Sequence, residues 1–528
     1  MQALSKRRRW AVTIGVMTGM LLAALEATVV GTAMPTIVAV LGGLAHYSWV
    51  FSAYLLTSTV TVPLWGKLSD LFGRRLMFQI GVALFLVGSL ACGVSQTMFQ
   101  LIVSRAVQGL GAGALVPLAM TIIGDIYTLE ERARMQGLFS GVWGVSSVLG
   151  PLLGGFITDQ LSWRWVFFIN LPVGIAAAAI IGFALVEPPR ASKPVIDYAG
   201  AAVLMFAVTL LLLALGGESA SGSAIGARQI GAAVVAFAML ALFVRIERRA
   251  RDPIVPLELF RNRIVAIAII VGFLAGIAMF GAISFIPLLA QGVFNASATA
   301  AGSFLTPLML SWVAASIVGG RLLIRIGARP LVLGGLLLML AGFAALCTFH
   351  ATTPRAVMMA ELAAIGAGLG TTMLTLLIAA QQSVDRQQLG ITTSLNQFSR
   401  SIGGAIGVAL LGTLMAAGLA ANLQRAAARP NAPLTPQQAA SLADDPSALV
   451  NAGARAAIGP AAVHVLQESL AAALRRVFTV CAAVVVLALI VSIRMLGARR
   501  ERACQPDDGE RFVMAEMTML DARDEPES

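Results

Sequence analysis

Apolar runs of about 20 residues, the length that carries an α-helix across a bilayer core, recur along almost the whole chain between short polar turns. Trp10–Ala33, Trp49–Trp65, Leu76–Val94 and Phe99–Ile123 are the first four. A glycine-rich fifth run and a sixth opened by Trp163-Arg164-Trp165 complete a set within residues 1–186. Residues 187–263 hold two more spans, Ala199–Leu215 and Ile230–Arg245, and residues 264–496 hold six, the last being Val477–Leu496. The pattern predicts an all-α integral membrane protein with fourteen transmembrane helices. Residues 422–474, rich in Ala, Pro, Asp and Gln, are expected as an external loop. Its final part, His464–Arg476, has the apolar spacing of a helix lying along the membrane surface. The tail 497–528 is polar, then acidic, and is expected to be disordered.

With 58% hydrophobic and 12% charged residues, the chain is not a soluble enzyme. A net charge of +11 suggests nucleic acid, but position decides otherwise. Most of the 37 Lys and Arg fall in turns on one side of the alternating spans, the asymmetry that keeps basic loops in the cytoplasm. That places both termini in the cytoplasm and the chain in the plasma membrane, with the lipid bilayer and no nucleic acid as partner. Lys6–Arg9 before the first run is similar to a signal peptide, yet no cleavage site follows and the run is long enough to span. The most basic connection is 245–263, with six Arg over 19 residues. It reads as a solvated positive-inside linker, with contact to anionic lipid headgroups as the lesser reading. Cys92, Cys347, Cys481 and Cys504 give no disulfide framework or metal-ligand spacing, and His46, His350 and His464 have no Asp or Cys spaced for catalysis. With no phosphate-cradling Gly-Lys-Ser/Thr loop either, no cofactor and no enzymatic activity are expected.

Two features go beyond spans and charge. The turn between the second and third runs reads Gly66-Lys67-Leu68-Ser69-Asp70-Leu71-Phe72-Gly73-Arg74-Arg75. Gly66 and Gly73 allow a tight turn, and Asp70 is able to accept backbone N–H groups at a helix start. The turn recurs as Gly320–Arg329 at an offset of 254, pairing Gly73 with Gly327 and Asp70 with Ile324. Gly111–Gly113 recurs as Gly366–Gly368 at an offset of 255, and Gly137, Gly150 and Gly154 pair with Gly390, Gly403 and Gly407 at 253. Three loci in order at a nearly constant offset mark a tandem duplication, so the expected fold is two six-helix parallel repeats plus two inserted helices.

The second feature is charge inside the spans, which is expensive in a membrane and marks function. Three strongly charged residues lie well inside them: Glu26, Arg105 and Glu361. At ~1.5 Å per residue, Glu26 sits about 24 Å up the first helix, and Arg105 and Glu361 about 9–10 Å in from the outer ends of theirs. The three share a depth, and Arg105 and Glu361 occupy near-equivalent repeat positions. An outer-end acid wetted from the external side is the equal alternative for Glu361. A structural arginine bonded to backbone carbonyls is the lesser alternative for Arg105.

The turn, with Gly66, Asp70, Gly73, Arg74 and Arg75, resembles the signature loop of the major facilitator superfamily. Leu25–Pro35 resembles the first-helix motif of its fourteen-helix drug–proton antiporter branch, with Glu26 where that motif usually has Asp. Leu101–Gly111, around Arg105, is similar to the fourth-helix motif, and Trp163–Pro172 to the run that opens the sixth helix in that branch. The fifth run, with Gly141, Gly144, Gly150, Pro151, Gly154 and Gly155, resembles the antiporter motif associated with exporters. Its small residues make a face on which helix backbones approach closely. The resemblance implies a monomeric, proton-coupled exporter of small organic substrates, with Glu26, Arg105 and Glu361 in coupling and Asp70 in gating. Export of an endogenous lipid, siderophore or metabolite is the alternative, and proton-coupled uptake a weaker one.

Overall fold

The computed structural model describes residues 5–41, 47–187, 197–216, 227–250, 253, 255–296, 298–350, 353–429, 433–444 and 459–496. The chain runs α1 (Lys6–Leu41), α2 (Tyr47–Phe72), α3 (Arg74–Val94), α4 (Met98–Ile126), α5 (Leu129–Gln160), α6 (Trp165–Phe168) and α7 (Asn170–Ala184). Next come α8 (Tyr198–Gly216), α9 (Ala227–Glu247), a 3-10 turn (Leu257–Arg261), α10 (Arg263–Gly292), α11 (Ala298–Ile326) and α12 (Ala328–Leu346). The last are α13 (Arg355–Gln382), α14 (Leu389–Ala427), α15 (Pro436–Asp444) and α16 (Pro460–Leu496). Among the described residues, ten helices are long and apolar enough to cross a membrane. α2, α5 and α9 are not among the ten, and α8 holds the shorter apolar stretch Ala199–Leu211.

Two groups of helices each bury their own core. Val12, Met20, Phe78, Phe85 and Leu115 anchor one core of α1–α7, and Met34, Trp163 and Phe167 a second core of the same group. Ala278, Phe343, Leu362 and Phe478 anchor the core of α10–α16. α8 and α9 pack against each other and lay Leu204, Val208 and Phe243 on the seam where α2 meets α14. The groups also meet where α5 packs on α11.

Glycines fix how closely helices approach within each group. In α4, a Cβ on Gly109 or Gly113 would strike α2 at Tyr54 or Ser58, and one on Gly111 would strike α3 at Gly81 and Phe85. In α13, Gly366 and Gly370 lie in the same way on α11, and Gly368 lies on α12 at Gly335 and Met339. By contact, then, Gly111 corresponds to Gly368, an offset of 257 and not the 255 read from sequence. The added residues lie in the connection before α13, which spans 347–354, whereas 95–97 suffice before α4.

Two expectations about the external side change. His464–Arg476 is not a separate surface helix, because α16 is continuous from Pro460 to Leu496. α14 likewise continues to Ala427, and its 39 residues reach about 58 Å at ~1.5 Å per residue, beyond a bilayer of about 40–45 Å with headgroups. Leu423, Leu434, Leu442 and Leu466 are buried at this projecting end, and Asn422 Nδ2 donates to the Ser469 carbonyl at 3.1 Å. Residues 445–458 of the loop and the tail 497–528 lie outside the described residues.

Candidate functional site

Thr97 opens α4 by accepting the Gln100 N–H at 3.2 Å, and two turns further the helix turns Arg105 inward. Arg105 and Glu26 of α1 are each 2% exposed and form an ion pair. Most of the remaining polar atoms around the pair are bonded as well, Gln108 Nε2 excepted. Arg105 donates to Gln108 Oε1 at 2.8 Å and to the Val50 carbonyl at 3.2 Å, with its guanidinium 4.2 Å from the centre of the Tyr54 ring. Asn170, the first residue of α7, donates to Glu26 Oε2 at 2.7 Å and to Ser89 Oγ at 3.0 Å. Ser89 passes the chain on to the Phe167 carbonyl at 2.8 Å. Burying two charges costs several kcal/mol per ion unless the pairing and the remaining hydrogen bonds offset it, and here both carboxylate oxygens are engaged. A cavity of about 10 Å³, near the smallest that holds a water, adjoins Glu26, Leu153, Ile157 and Asn170. The pair is therefore enclosed in this structure.

The Gly66–Arg75 turn carries a second charged cluster. Gly73, with φ of 111°, starts α3, and Gly327, with φ of 79°, starts α12, the left-handed backbone that glycine tolerates. Asp70 reaches across to the other group: its carboxylate accepts the backbone N–H of Gly390 at 3.1 Å and of Ile391 at 2.9 Å. An acid at a helix N-terminus satisfies orphan amides and opposes the helix dipole, and this one caps α14. Arg74 bridges Asp70 at 2.6 Å and Asp125 at 3.0 Å. Gly66 lies against Gly390 and Ser394, where any side chain would part α2 from α14. Arg75 is exposed, and its N–H and that of Arg74 donate to Glu187 at 3.4 and 2.7 Å, capping α3. Beside this cluster Arg9 pairs with Glu131 and stacks 4.5 Å from the centre of the Tyr127 ring.

The remaining expected residues lie elsewhere. Glu361 on α13 is partly exposed and shares no bond with the Glu26–Arg105 pair, and its buried Oε2 has no hydrogen-bond partner. The glycine contacts explain this: at an offset of 257, Leu362 and not Glu361 stands where Arg105 does. One residue turns a side chain by about 100° around a helix. In α5, only Gly150 among those with known surroundings sits in close contact, against Thr28 of α1, while a Cβ on Gly141, Gly144 or Gly155 would meet nothing within 4 Å. Gly154 is buried, and the helix runs unbroken through Pro151. The small face is thus open at Gly141, Gly144 and Gly155 and packed at Gly150. Asn170, Gln108, Ser89 and Glu187 were not singled out from sequence. Gln108, one turn after Arg105 in an otherwise apolar helix, and Asn170, a lone amide before Pro172, were the available signals.

The major facilitator superfamily model matches residues 16–408. The chain is 41% identical over 410 residues to the multidrug transporter protein MdtP of Bacillus subtilis (strain 168), covering 77% of this chain and 75% of the relative. It is 35% identical over 490 residues to multidrug resistance protein 3 of the same organism, covering 92% and 95%. Among solved structures, the human organic anion transporter MFSD10 superposes with a TM-score of 0.59 at 16% identity over 92% of this chain and 99% of that one. The chain belongs to the major facilitator superfamily, a family of transporters rather than enzymes.

Proposed function

We propose that the chain exports organic compounds, drugs among them, in exchange for protons. The observation that carries this reading is the buried Glu26, bonded to Arg105 and Asn170 beside a water-sized cavity. A titratable carboxyl deep in a transporter, held by one cation and one amide, is able to exchange its ionic partner for a proton. A proton on Glu26 releases Arg105, and a cationic substrate competes with that proton for the same carboxylate. Binding of one excludes the other, which couples the two fluxes. The multidrug and efflux names of the relatives support export rather than uptake.

In this reading Asp70, Arg74 and Asp125 lock the inner gate by capping α14, and Gly66 and Gly73 shape the lock. The open face of α5 around Gly141, Gly144 and Gly155 lines the path. Residues 1–186 and 264–496 are the two repeats, 187–263 adds two helices for fourteen spans, and both termini lie in the cytoplasm of a monomer in the plasma membrane. The test is drug-induced proton release from proteoliposomes. Wild type and Glu26→Asp release protons on addition of a monovalent cationic drug, and Glu26→Gln does not. Release by Glu26→Gln at the wild-type ratio would overturn the assignment. An exporter of an endogenous metabolite would keep the coupling and fail to move fluorescent cationic drugs.

A further inference from the structure

Beside the inner gate lies a cavity of about 450 Å³, within the roughly 300–1,000 Å³ of ligand sites. It is bounded by α2, α8, α9, α10, α14 and α16, so the two inserted helices complete its wall. Its deep side is made by Phe273, Leu395 and Phe398, and its mouth by Phe260, Ile270 and Leu487, which are 40–49% exposed. The only polar residue in the wall, Ser399, already donates its hydroxyl to the Ile269 carbonyl. A wholly apolar slot opening between spanning helices faces acyl chains, not water. Its level in the membrane follows from its neighbours. Leu395 lies five residues after Gly390, which Asp70 caps, and Phe260 adjoins the basic connection. Exposed Arg245, Arg261 and Arg263 stand at the ends of the elements that line it, two residues from Phe243, next to Phe260, and at the start of α10. The acids nearby among the described residues are Glu247 and Asp197, which meet at Gly200 of α8, and Glu258.

We propose that this slot binds one anionic phospholipid from the leaflet at the basic end. One acyl chain fills the cavity, and the phosphate rests on Arg245, Arg261 and Arg263. Basic side chains at a membrane surface favour anionic headgroups, and only the combination of these charges with a chain-sized slot makes the site specific. The bound chain lies against Leu395 and Phe398 of α14 and Pro63 of α2, so it braces the helices that Asp70 and Gly66 hold together. The inference holds whatever the chain transports.

The test uses full-length protein in detergent, supplied with equal amounts of phosphatidylglycerol and phosphatidylcholine, followed by gel filtration and counting of the retained lipid. Wild type should retain about one phosphatidylglycerol per chain, several-fold over phosphatidylcholine. Ile270→Trp, which plugs the mouth, should lose the lipid. The triple variant Arg245→Gln, Arg261→Gln and Arg263→Gln, changed only at exposed positions, should keep a lipid and lose the preference for the anionic headgroup. Equal retention of both lipids by wild type, or an undiminished preference in the triple variant, overturns the proposal. Displacement of the lipid mole for mole by tetraphenylphosphonium would show that the slot takes lipophilic cations instead, and would overturn it equally.

Discussion

The two groups of helices share a packing plan and differ in what they bury. Glycines of α4 and α13 touch their neighbours in the same order, and Gly150 on α1 has its counterpart in Gly403 on α10. Yet where α3 and α4 bury Ser89, Arg105 and Gln108, the matching positions of α12 and α13 hold Phe343, Leu362 and Ile365, all fully buried. At the turns the contrast repeats. Asp70, Arg74 and Asp125 are replaced by Ile324, Ala328 and Gln382, and Ile324 is exposed. At these positions one group carries ionisable side chains and the other does not, presenting instead an α-helix to be capped. A duplicated scaffold has thus kept its backbone contacts while the ion pairs at these matching positions survive on one side.

Exchanging the two designs at their centre gives the largest expected effect. Arg105→Leu, which installs the residue of the other group, leaves Glu26 buried without its cation. Breaking a buried pair in this way costs about 3–5 kcal/mol, so the variant should unfold at markedly lower temperature in detergent or fail to accumulate. Leu362→Met, at the matching position, should cost under about 1.5 kcal/mol. Equal effects at the two positions would show that Arg105 is not held as described.

Next is the lock between the groups. Asp70→Asn removes the charge on three bonds, to Gly390, Ile391 and Arg74, each charge-assisted bond being worth about 1.5–3 kcal/mol. Transport should fall by an order of magnitude or more while substrate binding persists, because the lock lies at the far turn and not at Glu26. Ile324→Val should transport normally. Normal export by Asp70→Asn would reduce the turn to a signal for membrane orientation.

Glycine substitutions separate packing from open surface. Gly111→Ala places a methyl against backbone atoms of Phe85 and Gly81, which cannot yield unless α3 and α4 part, and should destabilise strongly. Gly141→Ala meets nothing within 4 Å and should stabilise by up to about 1 kcal/mol through helix propensity. Thermal unfolding of the two variants in detergent measures both. Strong destabilisation by Gly141→Ala would restore the reading of α5 as a packing seam along its whole length.

Local pattern in the sequence carried the helices, the tight turn and the grouping of Glu26 with Arg105, which meet in an ion pair. Apolar run length and charge cost act within one span, so they can be read without a partner. The inserted spans, expected at Ala199–Leu215 and Ile230–Arg245, fall within α8 and α9. What could not be read depends on pairing across long separations. The Asn170–Glu26 bond joins residues 144 apart, and the Asp70–Ile391 bond residues 321 apart. The extension of α14 and α16 beyond the membrane was hidden because Ala-rich, polar sequence suits an exposed helix as well as a loop. The glycine register was misread by two residues because glycine is frequent in both helices and the longer turn before α13 has no marker of its own.

That register decides the smallest expected effect, at Glu361. Sequence depth grouped it with Glu26 and Arg105, and a coupling acid there would abolish proton exchange when neutralised. The contact register places Leu362 at the position of Arg105, and Glu361 one residue away, level with Ser104. No ion pair forms at Glu361, so its neutralisation breaks no charged network. Oε2 is buried without a partner, and an amide with the same shape can fill the same space. Glu361→Gln should therefore leave the ratio of protons to cationic drug unchanged in proteoliposomes, with stability within about 0.5 kcal/mol of wild type. The informative comparison is the double variant Glu26→Gln and Glu361→Gln against Glu26→Gln alone. If residual exchange in the single variant disappears in the double, Glu361 carries a proton after all and the two groups divide the coupling. If the two variants match, coupling resides wholly in α1, α4 and α7, and the second group serves as the wall against which they move.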